Sequence, residues 1–295
     1  MSQISVVARS LWKADVEDPH IWTCVARRIV AGADASPRDL SLTLFSLSCV
    51  MQKDPTLLSN EIKGLLSSHL EMLASDPSFF SRVTLIDISQ LVYAVSILFP
   101  QSSVVTPYIS KSTALLNALP RSTEELPILN SCREICVLWS VARLRKDIKN
   151  RTSRDFNEAL IEASRGLRNC ADFNQNKAAQ LADNLRTLSL TDSRIMFQLI
   201  HFLDKYGGTL NAKNYMRIVS CMGELKVDNP TVWRRLAKRI ESPLGVSLSI
   251  AQLELLRKYI VKLSPPGVAQ RATGIISLYI KTKLDAAMYG DSNPS

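Results

Sequence analysis

One twelve-residue pattern occurs three times in the chain, and this repetition restricts the fold more than any other feature of the sequence. Residues 18–29 read DPHIWTCVARRI and residues 229–240 read NPTVWRRLAKRI, with the same proline, tryptophan, alanine and closing Arg-Ile in register. Residues 192–203, DSRIMFQLIHFL, keep the acidic or amide first residue and the apolar spacing, with Met196 in place of the tryptophan. Internal similarity of this kind indicates an architecture of tandem units.

Each copy predicts the beginning of an amphipathic helix. Asp18 and Asn229 are preferred N-cap residues. A proline is tolerated at the next position because its missing N–H would be unpaired there in any case. The apolar residues then recur at positions i, i+1, i+4, i+5 and i+8, which places them on one helix face. The alanine on that face leaves room for a neighbouring helix to approach closely.

A second helical pattern follows each copy after a short polar break, so one repeat consists of two helices and two turns over about 35–40 residues. The second helices are predicted at residues 40–51, 214–225 and 251–263, and Gly207–Gly208 predicts a helix end and a turn. Looser pairs are predicted at residues 55–75 with 84–99, 102–119 with 123–144, and 153–169 with 174–188, and a closing helix at 267–288.

Two-helix units of this kind bury their apolar faces only against their neighbours, so the sequence predicts an all-α fold, an α-solenoid of about six stacked helix-turn-helix repeats with a C-terminal closing helix. We expect an N-terminal extension at residues 1–17, the helical-repeat solenoid at 18–264, and a C-terminal helix with a polar tail at 265–295. The low content of glycine and proline, 10 and 13 residues, also favours long helices.

The chain is basic, with 36 Lys and Arg against 27 Asp and Glu, a net charge of +9 and a pI near 9.3. A basic surface attracts polyanions such as nucleic acid through long-range electrostatic steering. The same surplus can also be scattered over a large surface without binding anything, so the charge leaves both alternatives open. No run of apolar residues is long enough for a membrane-spanning helix, and no membrane insertion is expected.

Two groups of basic residues are candidate RNA contacts. The first surrounds the end of a predicted helix, where cations can reach phosphates without being buried. The second lies on one predicted helix at spacings of three and four residues. The alternatives are a solvated helix end whose cations interact favourably with the helix dipole, and the polar face of the repeat, since Arg27 and Arg28 occupy equivalent places. The candidates are Arg133, Arg143, Arg145, Lys146, Lys149, Arg151 and Arg154 in the first group, and Arg234, Arg235, Lys238 and Arg239 in the second.

The aromatic residues and the cysteines are expected to be structural. The six cysteines form no C-x-x-C pair, and Cys132 and Cys136 have no histidine nearby, so we expect buried thiols and no metal site. Because the tryptophans lie among aliphatic residues at core spacing, they predict packing rather than base stacking. The residues expected in the core are Trp22, Trp139, Trp233, Tyr93, Tyr215 and Tyr259.

Catalytic motifs are missing from the sequence, which contains no H-E-x-x-H, G-x-S-x-G, P-loop or G-x-G-x-x-G pattern. We therefore expect no catalytic residues, no cofactor and no small-molecule substrate. The sequence predicts a binding or scaffolding protein rather than an enzyme.

The repeat resembles the organellar helical-repeat proteins, namely the octotricopeptide and heptatricopeptide repeats and the arrays that precede RAP domains. The similarity lies in the capped proline, the tryptophan three residues later and the Ala-[Lys/Arg]-Arg-Ile ending, and it is clearest at residues 18–51 and 192–264. The resemblance implies a protein of the mitochondrial matrix that binds RNA, rRNA in the first place, as a structural component of a mitochondrial ribonucleoprotein such as the mitochondrial ribosome.

Two further observations bear on this expectation. The first twelve residues lack acidic side chains, as in a transit peptide remnant, although acids follow at residues 15, 17 and 18. A RAP-like segment is missing from the C-terminal residues, which favours structural membership of an assembly over RNA processing. The alternative function is an RNA-free protein–protein scaffold or an accessory subunit of a mitochondrial respiratory complex.

Overall fold

The fold is that of a computed structural model, which describes residues 2–32, 36–100, 102–148, 150–206, 210–241 and 243–290. Within these residues the chain forms sixteen α-helices, one 3-10 helix and no strand, which confirms the predicted all-α class. Gly207, Gly208 and the polar tail from residue 291 lie outside the described residues. The chain folds into two compact units, unit 1 (Met1–Cys170) and unit 2 (Ala171–Ser295), a boundary that the sequence pattern does not indicate.

Unit 1 contains nine helices among its described residues. Helices α1, α3, α6 and α8 pack in succession, while α2 packs on α4 and α7 packs on α9. Helices that are separated along the chain by one or two elements therefore lie side by side. The bounds are α1 (Ser2–Lys13), α2 (Pro19–Ala31), α3 (Pro37–Met51), α4 (Asn60–Ala74), α5 (Pro77–Ser81), α6 (Leu85–Leu98), α7 (Val105–Asn117), α8 (Arg133–Leu144) and α9 (Arg151–Ser164), followed by the 3-10 helix Arg165–Asn169.

The segment expected to be an N-terminal extension is largely helical and packs on unit 1. The Ser5 hydroxyl donates a hydrogen bond of 2.7 Å to Asp39 Oδ1 on α3. The ring of Trp12 meets Phe45 edge to face, with 5.9 Å between the ring centroids. Helix α1 is therefore the first member of the row that continues with α3 and α6.

The helix predicted at residues 123–144 begins only at Arg133, so this boundary prediction is wrong. Pro120 and Pro127 explain the difference, because the residue before a proline is driven out of the α region. A compact turn forms instead, in which the N–H of Ser122 donates to the carbonyl of Leu126 at 2.8 Å.

Unit 2 is built from seven described helices. Helices α10, α12 and α15 pack in succession, α11 packs on α13, α13 packs on α16, and α15 pairs with α16. The predicted closing helix is α16, and the short helix α14 occupies a stretch that was expected to be a turn. The bounds are α10 (Gln175–Leu188), α11 (Ser193–Tyr206), α12 (Ala212–Glu224), α13 (Pro230–Ile240), α14 (Pro243–Ser247), α15 (Ile250–Leu263) and α16 (Pro266–Gly290).

All three copies of the repeated pattern are preceded by the same turn. Asp15, Ser189 and Lys226, each three residues before a cap, adopt the left-handed conformation with φ of 57°, 52° and 51°. The next residue donates its N–H to the carbonyl five residues back at 2.9–3.0 Å, and the left-handed residue donates to the carbonyl three residues back at 3.1–3.2 Å. These paired bonds define the Schellman motif, which satisfies the last carbonyls of the preceding helix.

The two matched tryptophans make the same hydrogen bond. Trp22 Nε1 donates to the carbonyl of Val16 at 2.7 Å, and Trp233 Nε1 donates to the carbonyl of Val227 at 2.8 Å. Both side chains are fully buried, so the expectation that they are packing residues is confirmed. Each tryptophan thus ties its helix to the Schellman turn six residues earlier.

The other aromatic residues divide between the core and its margin. Trp139 and Tyr215 are fully buried, as expected. Tyr93 and Tyr259 are only half-buried. Tyr215 donates its hydroxyl to the carbonyl of Leu236 at 2.8 Å, and burial raises its pKa far above the ordinary range.

Candidate nucleic-acid interface

The first predicted basic group is not a single cluster in the structure. Arg133 is the first residue of α8 and Arg143 lies in its last turn. Ten residues of α-helix separate them by about 15 Å along the axis. Arg133 therefore does not join the cations at the other end of the helix.

The cations at the end of α8 and the beginning of α9 are partly engaged in local contacts. Arg145 Nη1 donates to the carbonyl of Pro100 at 3.3 Å, and partial burial lowers the pKa of its guanidinium. Arg151 Nε lies 3.7 Å from Asp155 Oδ2. Lys149 lies outside the described residues. The exposed members without an ion-pair partner in the part of unit 1 that the structure describes are Arg143, Lys146 and Arg154.

The second predicted group forms one continuous surface, which we call the α13 face: Arg234, Arg235, Lys238 and Arg239. Residues at spacings of three and four share one side of a helix, and Lys238 lies four positions after Arg234 and three after Arg235, which is itself four before Arg239. Arg234, Arg235 and Lys238 are exposed and Arg239 is half-buried. Apolar residues of α13 occupy the opposite side, including the buried Trp233.

Two members of the α13 face have no carboxylate within ion-pair distance among the described residues. These are Arg234 and Lys238, whose exposed side chains remain available to an outside anion. Arg235 pairs with Asp204 at the end of α11, and this contact holds its guanidinium beside the neighbouring helix. The α13 face therefore combines positioned and unpaired cations.

Two clefts open on either side of Lys238. The larger, of about 550 Å³, lies between α11 and α13. The smaller, of about 240 Å³, lies between α13 and α16. Arg271 of α16 adds a cation to the smaller cleft, where its Nε lies 2.9 Å from Glu241 Oε1. Because both clefts are open to solvent, they suit an extended anionic chain better than an enclosed small molecule.

One arginine on each of the helices α10 and α12 pairs with an acidic residue of the other helix. Arg217 Nη2 lies 2.6 Å from Asp183 Oδ2, and Arg186 Nη1 lies 3.2 Å from Glu224 Oε1. In each pair, the acidic side chain neutralises the charge of the arginine on the other helix. Arg186 and Arg217 therefore offer less free positive charge to an outside anion than the exposed Arg234 and Lys238 of the α13 face.

Most of the surplus charge of the chain belongs to unit 2. Unit 1 contains nineteen Lys and Arg against seventeen Asp and Glu, and unit 2 contains seventeen against ten, so their formal net charges are +2 and +7. A surplus on the smaller unit raises the potential near its surface and favours capture of a polyanion.

The four cations of the α13 face are evident in the sequence pattern, whereas Asp204 and Arg271, which border it, are not. Both residues lie on other helices, about thirty positions away along the chain, and neither belongs to a basic run. Only the packing of α11 and α16 on α13 brings them to the clefts.

No described helix is both long and apolar enough to cross a lipid bilayer. Comparison with known proteins finds no family model that matches the chain and no curated protein that matches it significantly.

Proposed function

We propose that this chain is a non-catalytic helical-repeat protein that binds RNA through the α13 face. The single observation that carries the proposal is that Arg234 and Lys238 are exposed and have no carboxylate partner among the described residues, on a unit of net charge +7 where Lys238 lines two open clefts and Arg234 lines the smaller one. Exposed cations bind phosphates without the cost of burying charge, and they release the counterions that surround the nucleic acid. Phosphate contacts of this kind position an RNA without reading its sequence.

The packing of the helices supports a repeat architecture for this protein. In each unit, helices separated by one or two elements lie side by side, and this packing is compatible with stacked two-helix repeats. We propose that the helix pairs of each unit stack in this way, and that their broad outer faces serve for docking.

The cellular setting is proposed from the resemblance to organellar helical-repeat proteins. On this basis the protein is a structural component of a mitochondrial ribonucleoprotein in the matrix, with the mitochondrial ribosome as the first candidate. Affinity purification from mitochondria with sequencing of the recovered RNA tests this setting. Recovery of rRNA with ribosomal proteins supports it, and absence of the tagged protein from mitochondria contradicts it.

Binding of a labelled single-stranded oligouridine of about 20 nucleotides tests the RNA function directly. We expect the full chain to bind, with an affinity that falls steeply between about 50 and 200 mM salt. The variant R234Q/K238Q should lose roughly ten- to thirtyfold in affinity, and the slope of log affinity against log salt should fall by about 1.4 for two lost phosphate contacts.

The repeat supplies a matched control for this variant. R27Q/R28Q removes the same charge from exposed positions of α2, which belongs to the equivalent copy in unit 1. We expect it to leave binding within about twofold of the original chain, since unit 1 has little surplus charge. Equal losses in both variants, or no binding by the unchanged chain at low salt, would overturn the proposal.

Exposed apolar residues on the last helices favour the protein–protein scaffold as the second candidate. Val261 on α15 and Leu278 on α16 have 61% and 62% of their surface exposed. Apolar side chains on an outer surface can serve a protein neighbour, which need not involve RNA. Purification with an RNA-free protein complex, unchanged by ribonuclease treatment, would favour this candidate over the first.

A further inference from the structure

An exposed aromatic stack lies on the outer side of α11. The rings of Phe197 and His201 are stacked, with 6.2 Å between their centroids and an interplanar angle of 24°. Phe197 keeps 45% of its surface exposed. The two residues are four positions apart, so the helix itself places one ring above the other.

This stack is separate from the aromatic core of unit 2. Phe202 of the same helix is buried and meets Phe173 edge to face, with 5.5 Å between centroids. Phe197 points to the other side of the helix, where it contributes little to the hydrophobic core. A single exposed apolar residue is ordinary on a protein surface, so the significance of Phe197 depends on what lies next to it.

The aromatic stack shares its helix side with the larger cleft of the α13 face. Asp204 follows His201 by three positions and Phe197 by seven, so all three project from the same side of α11. Asp204 pairs with Arg235 and lines that cleft together with Lys238. The Phe197 ring therefore lies about 10 Å along the helix axis from the cleft.

We propose that Phe197, supported by His201, is a base-stacking platform for single-stranded RNA whose phosphates lie in the cleft between α11 and α13. This inference rests on the proposed RNA function and adds to it the kind of RNA that is bound. Aromatic side chains next to a cationic groove are the combination by which proteins hold single strands, because every base offers a flat face. A duplex offers no such face, since its bases are already stacked within the helix.

The test uses the full chain and two variants of one residue, F197A and F197L. F197L keeps an apolar side chain but removes the ring, so it separates stacking from simple apolar contact. Both variants should bind single-stranded oligouridine about five- to tenfold more weakly, while the salt slope stays unchanged because no charge is lost. Affinity for an abasic ribose-phosphate oligomer of the same length should stay within about twofold of the original chain.

The outcomes separate this inference from the proposed function. If F197L binds oligouridine as tightly as the unchanged chain while R234Q/K238Q binds weakly, the platform is wrong and the RNA function stands. If both Phe197 variants lose affinity equally for the RNA and for the abasic oligomer, stacking is also excluded. If the unchanged chain binds neither ligand, the proposed function itself fails. A chemical denaturation curve for each variant shows that the fold is retained.

Discussion

Helix α2 of unit 1 and helix α13 of unit 2 begin in the same way. Each follows a Schellman turn, starts with a capped proline, and buries a tryptophan whose indole N–H reaches back to a valine carbonyl. Their outer sides differ. Thr23 and Cys24 of α2 correspond to Arg234 and Arg235 of α13, so only the second helix carries a run of four cations.

The difference separates two kinds of position within one repeat. The capped, buried and turn positions determine how a helix begins and which side it packs, and they match in both copies. The outer positions make few contacts within the chain, so they are free to carry binding chemistry. On the proposed function, the binding residues are added to positions that the common scaffold leaves exposed, chiefly in unit 2.

The largest expected effect tests whether the shared tryptophan has the same structural role in both copies. Trp22→Ala and Trp233→Ala should each lower the free energy of unfolding by about 3–5 kcal/mol, because each leaves a cavity in a closed core. Trp→Phe at either position should cost about 1–3 kcal/mol, since the valine carbonyl loses its buried donor. Urea denaturation of each variant measures these changes. A cost below about 1 kcal/mol for one alanine variant would show that the two copies are not equivalent.

The second prediction adds to α2 the two cations that α13 carries at the equivalent positions. Thr23→Arg with Cys24→Arg should raise affinity for oligouridine up to about tenfold at low salt and steepen the salt slope by up to about 1.4. Affinity for inorganic polyphosphate should rise by a similar factor, because charge alone does not distinguish the two polyanions. Titration at several salt concentrations measures both ligands. A gain confined to RNA would contradict the expectation that the added cations act through charge alone.

The third prediction concerns the caps. Asp18→Ala and Asn229→Ala should each destabilise the protein by about 1 kcal/mol, because both side chains accept backbone N–H bonds in the first turn of the helix. Asp18→Asn is the matched control and should change stability by less than about 0.5 kcal/mol, since asparagine caps as well as aspartate does. Denaturation midpoints at constant slope report the difference. Unequal costs of the two alanine variants would show that the caps differ in their surroundings.

The smallest expected effect concerns the left-handed residues of the Schellman turns. Ser189→Gly and Lys226→Gly should raise stability by about 0.5–1 kcal/mol each, because glycine adopts positive φ without a Cβ clash. Lys226→Ala is the control and should give no gain, since alanine retains the clash. Thermal unfolding resolves shifts of this size. Destabilisation by both glycine variants would mean that their side chains make contacts that outweigh the backbone strain.

The predictions made from the sequence succeeded where the determining contacts are local. The three copies indicated the caps, the helix starts and the buried tryptophans, because these depend on residues within one or two turns. The looser helix prediction failed at residues 123–132, where Pro127 interrupts the α conformation. It also missed the packing of α1 on α3, since the bond from Ser5 to Asp39 joins residues far apart in the chain.

The candidate site divides in the same way. Arg234, Arg235, Lys238 and Arg239 lie on one short helix, so helical periodicity alone places them on one side. In the first basic group, Arg145 contacts the carbonyl of Pro100, forty-five positions earlier, which periodicity could not show. RNA binding itself remains a prediction for both groups.

The amino-acid sequence alone determined where the helices of the repeat begin, which of their sides are apolar and where the cations concentrate. Hydrogen bonds that span three to six residues are encoded in the segment that makes them. Only the tertiary structure decided that α11 and α16 border the α13 face, bringing Asp204 and Arg271 to its clefts and Phe197 to its margin. Such neighbours arise from the packing of whole helix surfaces, which no single segment specifies.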